Sequence, residues 1–178
     1  MNPLPALCAI ALLSLPAHAE HLVPDESQFA GWLHATSEMS DKPVRHSSRR
    51  ISGFEHQLAR VNREVNASFF TDAFDSYWET PSEFRRNGGQ CRDYAVAKYA
   101  RLYDLGVADA DMELAVVRIK QTGQYHAVLL IRHAGRIYVL DNLRRDVVGM
   151  ERFRSFVPVY FINRIGWREP GERDYGSN

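Results

Sequence analysis

The stretch that decides the reading is Gly88-Gly89-Gln90-Cys91-Arg92-Asp93-Tyr94-Ala95-Val96-Ala97-Lys98-Tyr99. Two glycines allow a tight backbone turn and leave room for a substrate beside it. A helix then begins at or next to Cys91. Cys91, Tyr94, Ala95, Lys98, Tyr99, Leu102 and Leu105 fall on one face, three alanines favour the helix, and Gly106 stops it. A cysteine at a helix start sits among unsatisfied N–H groups and partial positive charge, which lower a thiol pKa and can bind an oxyanion. The alternative for such a cysteine is a small buried hydrophobe.

Upstream, Phe54, Leu58, Val61 and Val65 make one apolar stripe over 54–66, and a further helix is expected from about Phe29 to Glu38. Between Phe69 and Glu79 lie Phe69, Phe70, Phe74, Tyr77 and Trp78, most of them expected in the core. Thr80-Pro81-Ser82-Glu83 predicts a capping box opening a short helix, which Asn87-Gly88-Gly89 ends. Downstream, Glu113 to Lys120, Gln124 to Arg132, Arg136 to Leu140 and Val159 to Ile162 read as strands. His133-Ala134-Gly135 turns the middle pair into a hairpin. Helices first and antiparallel strands after make an α+β fold.

A thiolate nucleophile needs an imidazole partner, and the imidazole needs an orienting group. His21, His34, His46 and His56 fall in polar or exposed-helix contexts, and His133 in the turn. His126 differs, because it opens the apolar run Ala127-Val128-Leu129-Leu130-Ile131. Asp141 ends the paired strand after Ile137-Tyr138-Val139-Leu140. A hairpin centred between His133 and Ala134 puts His126 directly opposite Asp141, with Cβ atoms roughly 4.5–5.5 Å apart. A three-residue turn would need a bulge to restore that facing.

The 178 residues suffice for one domain with a core, 45% being hydrophobic. Lys plus Arg and Asp plus Glu are both 22, a balance that argues against nucleic acid as the main partner. The basic run Arg45-His46-Ser47-Ser48-Arg49-Arg50 reads as solvated surface. There is no His-Glu-x-x-His motif or Cys/His cluster for metal hydrolase chemistry. Residues 1–19 carry no Asp, Glu, Lys or Arg, and Ala6 to Leu15 has the length of an export-signal core, too short to span a bilayer. Ala17-His18-Ala19 predicts cleavage after Ala19, export to the periplasm and no stable membrane insertion afterwards. The chain's two cysteines are Cys8 and Cys91, and cleavage removes Cys8. The expected organisation is a signal peptide over 1–19, an N-terminal arm over 20–50, a catalytic domain over 51–170 and a tail over 171–178.

The Gly88–Tyr99 stretch, with Tyr125-His126-Ala127-Val128-Leu129 and Tyr138-Val139-Leu140-Asp141-Asn142-Leu143, resembles the bacterial transglutaminase-like cysteine peptidases. Tyr77-Trp78-Glu79-Thr80-Pro81-Ser82-Glu83-Phe84 and Val157-Pro158-Val159-Tyr160 fit as well, so the resemblance spans roughly residues 54–167. It implies a papain-like α+β fold, with a cysteine-bearing helix packed on an antiparallel sheet that carries histidine and aspartate. Matched position by position, the implied triad is Cys91, His126 and Asp141. For the LapG-like periplasmic members it implies a protein substrate, a large surface adhesin released from biofilms, and an inner-membrane regulatory receptor. Those members depend on calcium and flank the cysteine with acids. Here Gln90 and Arg92 stand in those places and only Asp93 remains. An arginine cation disfavours calcium, so no cofactor is expected. Arg92 would also favour a thiolate at Cys91.

The function expected is that of an exported cysteine peptidase acting through a thioester. The Cys91 N–H would form part of the oxyanion hole, with Gln90 or Trp78 as a candidate second donor. Two other readings stand beside it. One is a transglutaminase or other acyltransferase with the same triad and an amine acceptor. The other is a catalytically inactive periplasmic binding or regulatory module.

Overall fold

The computed structural model describes residues 26–40, 53–71 and 76–171. The predicted signal peptide, the basic run at 45–50, Phe74 and nearly all of the C-terminal tail lie outside the described residues.

Among the described residues four α-helices precede the sheet: α1 (Glu26–Thr36), α2 (Phe54–Asn66), α3 (Pro81–Asn87) and α4 (Cys91–Asp104). The stripe on α2 is as expected, with Phe54, Leu58 and Val61 buried and Val65 packed against them. The α1 helix starts earlier and stops earlier than the expected span. Its Trp32 meets Trp78 and Tyr99 edge to face, at 6.3 and 5.4 Å. The capping box on α3 is formed. Thr80 accepts from the Glu83 N–H, and the Glu83 carboxylate accepts from the Thr80 N–H at 2.8 Å. Hydrogen bonding to the Thr80 backbone is the main reason the Glu83 carboxyl is held down to about 2.

Six antiparallel strands follow among the described residues: β1 (Met112–Ile119), β2 (Tyr125–His133), β3 (Arg136–Leu140), β4 (Val148–Gly149), β5 (Phe156–Ile162) and β6 (Trp167–Arg168). They lie in the order β4-β3-β2-β1-β5-β6. The fold is therefore α+β, as expected. The two-residue strands β4 and β6 were not expected, because two residues carry no period to read. Alternation along β2 divides the core. Ala127, Leu129 and Ile131 pack with Ala95, Tyr99 and Leu102 of α4. Val128 and Leu130 pack with Val117, Phe153 and Phe161.

The β2–β3 hairpin differs from the expected one. His133 pairs with Arg136, so the turn is the two residues Ala134 and Gly135, both at positive φ (49° and 77°). Every pair is displaced by two positions from the expected register. Leu129 pairs with Leu140, so the position across from Asp141 is that of Val128. A displacement of two keeps each side chain on its face, whereas a displacement of one would have reversed them.

The aromatic segment also departs from expectation. Trp78 is buried, but Phe69 and Tyr77 are 59% and 47% exposed. The Tyr77 hydroxyl donates to Glu83 and pairs with His34, which provides a polar reason to stay at the surface.

Candidate active site

Cys91 is the first residue of α4 and is 1% exposed. The approach to it depends on two glycines. Gly88 has φ +71°, and a Cβ there would lie 2.1 Å from the Phe69 carbonyl oxygen. A Cβ on Gly89 would lie 2.6 Å from the Asp93 Cβ. Neither position admits a side chain unless the backbone or Asp93 shifts.

The start of α4 is tied down by its own next two residues. Asp93 Oδ2 accepts from the Gln90 N–H at 2.7 Å, and Oδ1 accepts from the Glu79 N–H at 3.0 Å. Arg92 is 4% exposed. Its Nε donates to the Tyr77 carbonyl at 3.2 Å, its Nη2 donates to the same oxygen, and its Nη1 donates to Gln90 Oε1 at 3.1 Å. Burial pushes the Asp93 carboxyl up to about 6, against the opposing effects of Arg92 and the two N–H donors. Sequence reasoning had not seen this clamp. The Gln90 N–H, bound to Asp93, is committed elsewhere than to an oxyanion. In this structure the Cys91 sulfur is in a disulfide.

His126 and Asp141 are brought together. Nε2 lies 2.8 Å from Oδ1, and both side chains are 1% exposed. A carboxylate can only accept, so Nε2 carries the proton and Nδ1 is left as the acceptor of the neutral ring. Nδ1 is buried and has no hydrogen-bond partner, so the disulfide-bonded Cys91 sulfur is not bonded to it. Phe156 lies against the ring, centroids 6.0 Å apart.

Asp141 is further placed by its neighbours. The Leu143 N–H donates to Oδ1 at 2.9 Å, and Arg144 Nε lies 3.7 Å from Oδ2. Burial raises its pKa, but the His126 hydrogen bond, the Leu143 N–H and the Lys98 charge act against this, and it is held below the usual carboxylate value. The loop after it hangs from α2. Asn66 donates to the carbonyls of Asp141 and Arg144 at 2.9 and 3.0 Å, and Asn62 to those of Arg144 and Arg145 at 2.8 and 3.1 Å. Sequence reasoning missed both asparagines. The available signal was two amides four residues apart beside an apolar stripe, one of them now fully buried.

Among the described residues no group of three or more His, Cys, Asp or Glu could hold a metal ion, and no helix is long and apolar enough to cross a membrane. The profile of the bacterial transglutaminase-like cysteine proteinases matches residues 34–156. The chain belongs to that family. Solved structures of Legionella pneumophila LapG agree with this. The calcium-bound form has a TM-score of 0.61 at 26% identity, covering 79% of this chain and 77% of that one. The EGTA-treated form has a TM-score of 0.62 at 26% identity, covering 82% and 77%. No curated protein matches the sequence. This transglutaminase-like cysteine peptidase is therefore LapG-like in fold and in enzyme class.

Proposed function

We propose that the protein is an exported peptidase in which Cys91 is the nucleophile, His126 the acid and base, and Asp141 the group that orients the imidazole. The observation that carries the reading is the buried His126–Asp141 pair, with Nε2 held and Nδ1 unoccupied. A buried nitrogen without a partner calls for one, and a reduced thiol at the head of the helix packed on β2 has the chemistry to supply it.

The reacting form is the reduced thiol. Cleavage after Ala19 removes Cys8, the chain's other cysteine. The Cys91 proton passes to His126 Nδ1, and the thiolate attacks the peptide carbonyl carbon. The oxyanion that forms is stabilised by the Cys91 N–H at the positive end of α4. His126 returns its proton to the leaving amine, the C–N bond breaks and a thioester remains. His126 then takes a proton from water. The hydroxide attacks the thioester, and the acid product leaves as the thiol is restored.

The family resemblance supports a protein substrate, with a large surface adhesin in the periplasm as the substrate class to test first and an inner-membrane receptor as the regulator. The residues beside Cys91 do not fit calcium. Gln90 Oε1 and both Asp93 oxygens are occupied by Arg92 and by backbone N–H groups, and a fixed cation sits among them. The proposed reaction runs without a metal. Replacing Cys91 by Ala in reduced protein is expected to lower cleavage of an adhesin fragment or peptide panel by at least about 10³-fold. Unchanged turnover would reject the proposal.

A further inference from the structure

Among the described residues Arg92 and Lys98 are the buried cations, and the surroundings of Arg92 are specific. Three oxygens from three places converge on one guanidinium. They are the Tyr77 carbonyl, which takes two of its nitrogens, Gln90 Oε1 at 3.1 Å and Asp93 Oδ1 at 3.7 Å from Nε. The face of Trp78 lies beside it, with the guanidinium carbon 5.9 Å from the ring centroid. Carbonyl, amide and carboxylate oxygens are the ligands a hard cation would also take, but here the cation is covalently part of the helix that Cys91 heads. Its neighbour completes the connection, since Asp93 binds the Glu79 N–H. The segment Tyr77-Trp78-Glu79 is thus held at both ends by consecutive residues of the first turn of α4. An uncharged side chain at position 92 would leave the Asp93 carboxylate buried without its opposite charge.

We propose that Arg92 is a positioning residue that serves as the built-in cation of the active site. It fastens the 77–79 segment to the nucleophile's helix and so sets the Cys91 environment without a bound divalent ion. This rests on Cys91 being the nucleophile, and it adds what holds that nucleophile in place. The guanidinium fork matters as well as its charge, because two nitrogens share one carbonyl while a third reaches Gln90.

The test uses the reduced mature chain, residues 20–178, in excess EGTA and in millimolar calcium. Wild-type melting temperature and Cys91 alkylation rate are expected to be the same in both. Arg92→Met is expected to melt several degrees lower and to alkylate at least about tenfold more slowly near pH 6, with calcium restoring neither. Arg92→Lys, which keeps the charge and loses the fork, should fall between the two. A wild-type melting temperature that drops in EGTA, or calorimetric binding of calcium to the wild-type chain, would overturn the proposal. So would an Arg92→Met chain with wild-type alkylation. If Arg92→Met does not fold, the wild-type chelation arm and Arg92→Lys still decide. Melting and calcium binding need no turnover, so they judge Arg92 even if Cys91 proves to hydrolyse nothing.

Discussion

Lys98 shows how much a single side chain can hide in a helical pattern. It lies two turns along α4 from Cys91, on the stripe read from the sequence, and it is 0% exposed. Burial pushes its pKa down from 10.5 to about 7, with the Asp141 charge acting in the opposite direction. From about pH 7 to 10.5 the unfolded chain therefore binds more protons at this residue than the folded one, and stability rises with pH across that window. Below pH 7 both states carry the proton and the slope vanishes. We expect Lys98→Met to be the more stable protein at pH 7 and its advantage over wild type to shrink by pH 10. Urea midpoints at the two pH values check this, and a constant difference would contradict it. The face that Lys98 occupies was legible in the sequence; its charge state was not, because that depends on complete burial and, against it, on the Asp141 charge, both supplied by the fold. Arg92 is similar: the sequence shows a cation beside Cys91, but not the carbonyl and amide it binds.

At the scale of elements, pattern reading succeeded where burial has a period and failed where a turn decides. The 54–66 stripe, the capped helix at 81–87, the helix from Cys91 and the strand 136–140 were all legible, since each carries a repeat or a cap that the chain states locally. The hairpin register was not. The turn was placed at His133-Ala134-Gly135, but a positive φ at Ala134 was not foreseen, because a non-glycine residue rarely adopts that conformation. With Ala134 and Gly135 forming the turn, the two strands slide by two positions relative to the expected pairing. His126 and Asp141 then meet diagonally rather than directly across, on the same face and close enough for a 2.8 Å bond. Ala134 is exposed and sits at φ 49°, so Ala134→Asn should relieve its strain and suit the turn. A gain of about 0.5–1 kcal/mol is expected, read as a higher urea midpoint at unchanged slope. No gain, or a loss, would mean that the turn is set by something other than the conformational preference of this residue.

At the scale of the whole molecule, the helical layer and the sheet contribute separate parts of the proposed site. The sheet brings His126 and Asp141 together, and α2 holds the Asp141 loop through Asn62 and Asn66. The helical layer places Cys91 at the head of α4 and fastens it through Arg92 and Asp93 to the 77–79 segment. Cys91, His126 and Asp141 could be proposed from the sequence because each stands at the boundary of a periodic element, and of these the structure pairs His126 with Asp141. The asparagines and the clamp could not, since their partners are distant carbonyls that no local pattern announces. The central claim is that Cys91 is an activated thiol working with His126. Its most direct test is the pH dependence of Cys91 alkylation by iodoacetamide in the reduced mature chain, compared with His126→Asn. The account predicts a wild-type rate that has already reached its plateau by about pH 6, and an inflection in His126→Asn that moves toward the ordinary thiol value of about 8.5. A wild-type inflection near 8.5, unmoved by the substitution, would contradict it.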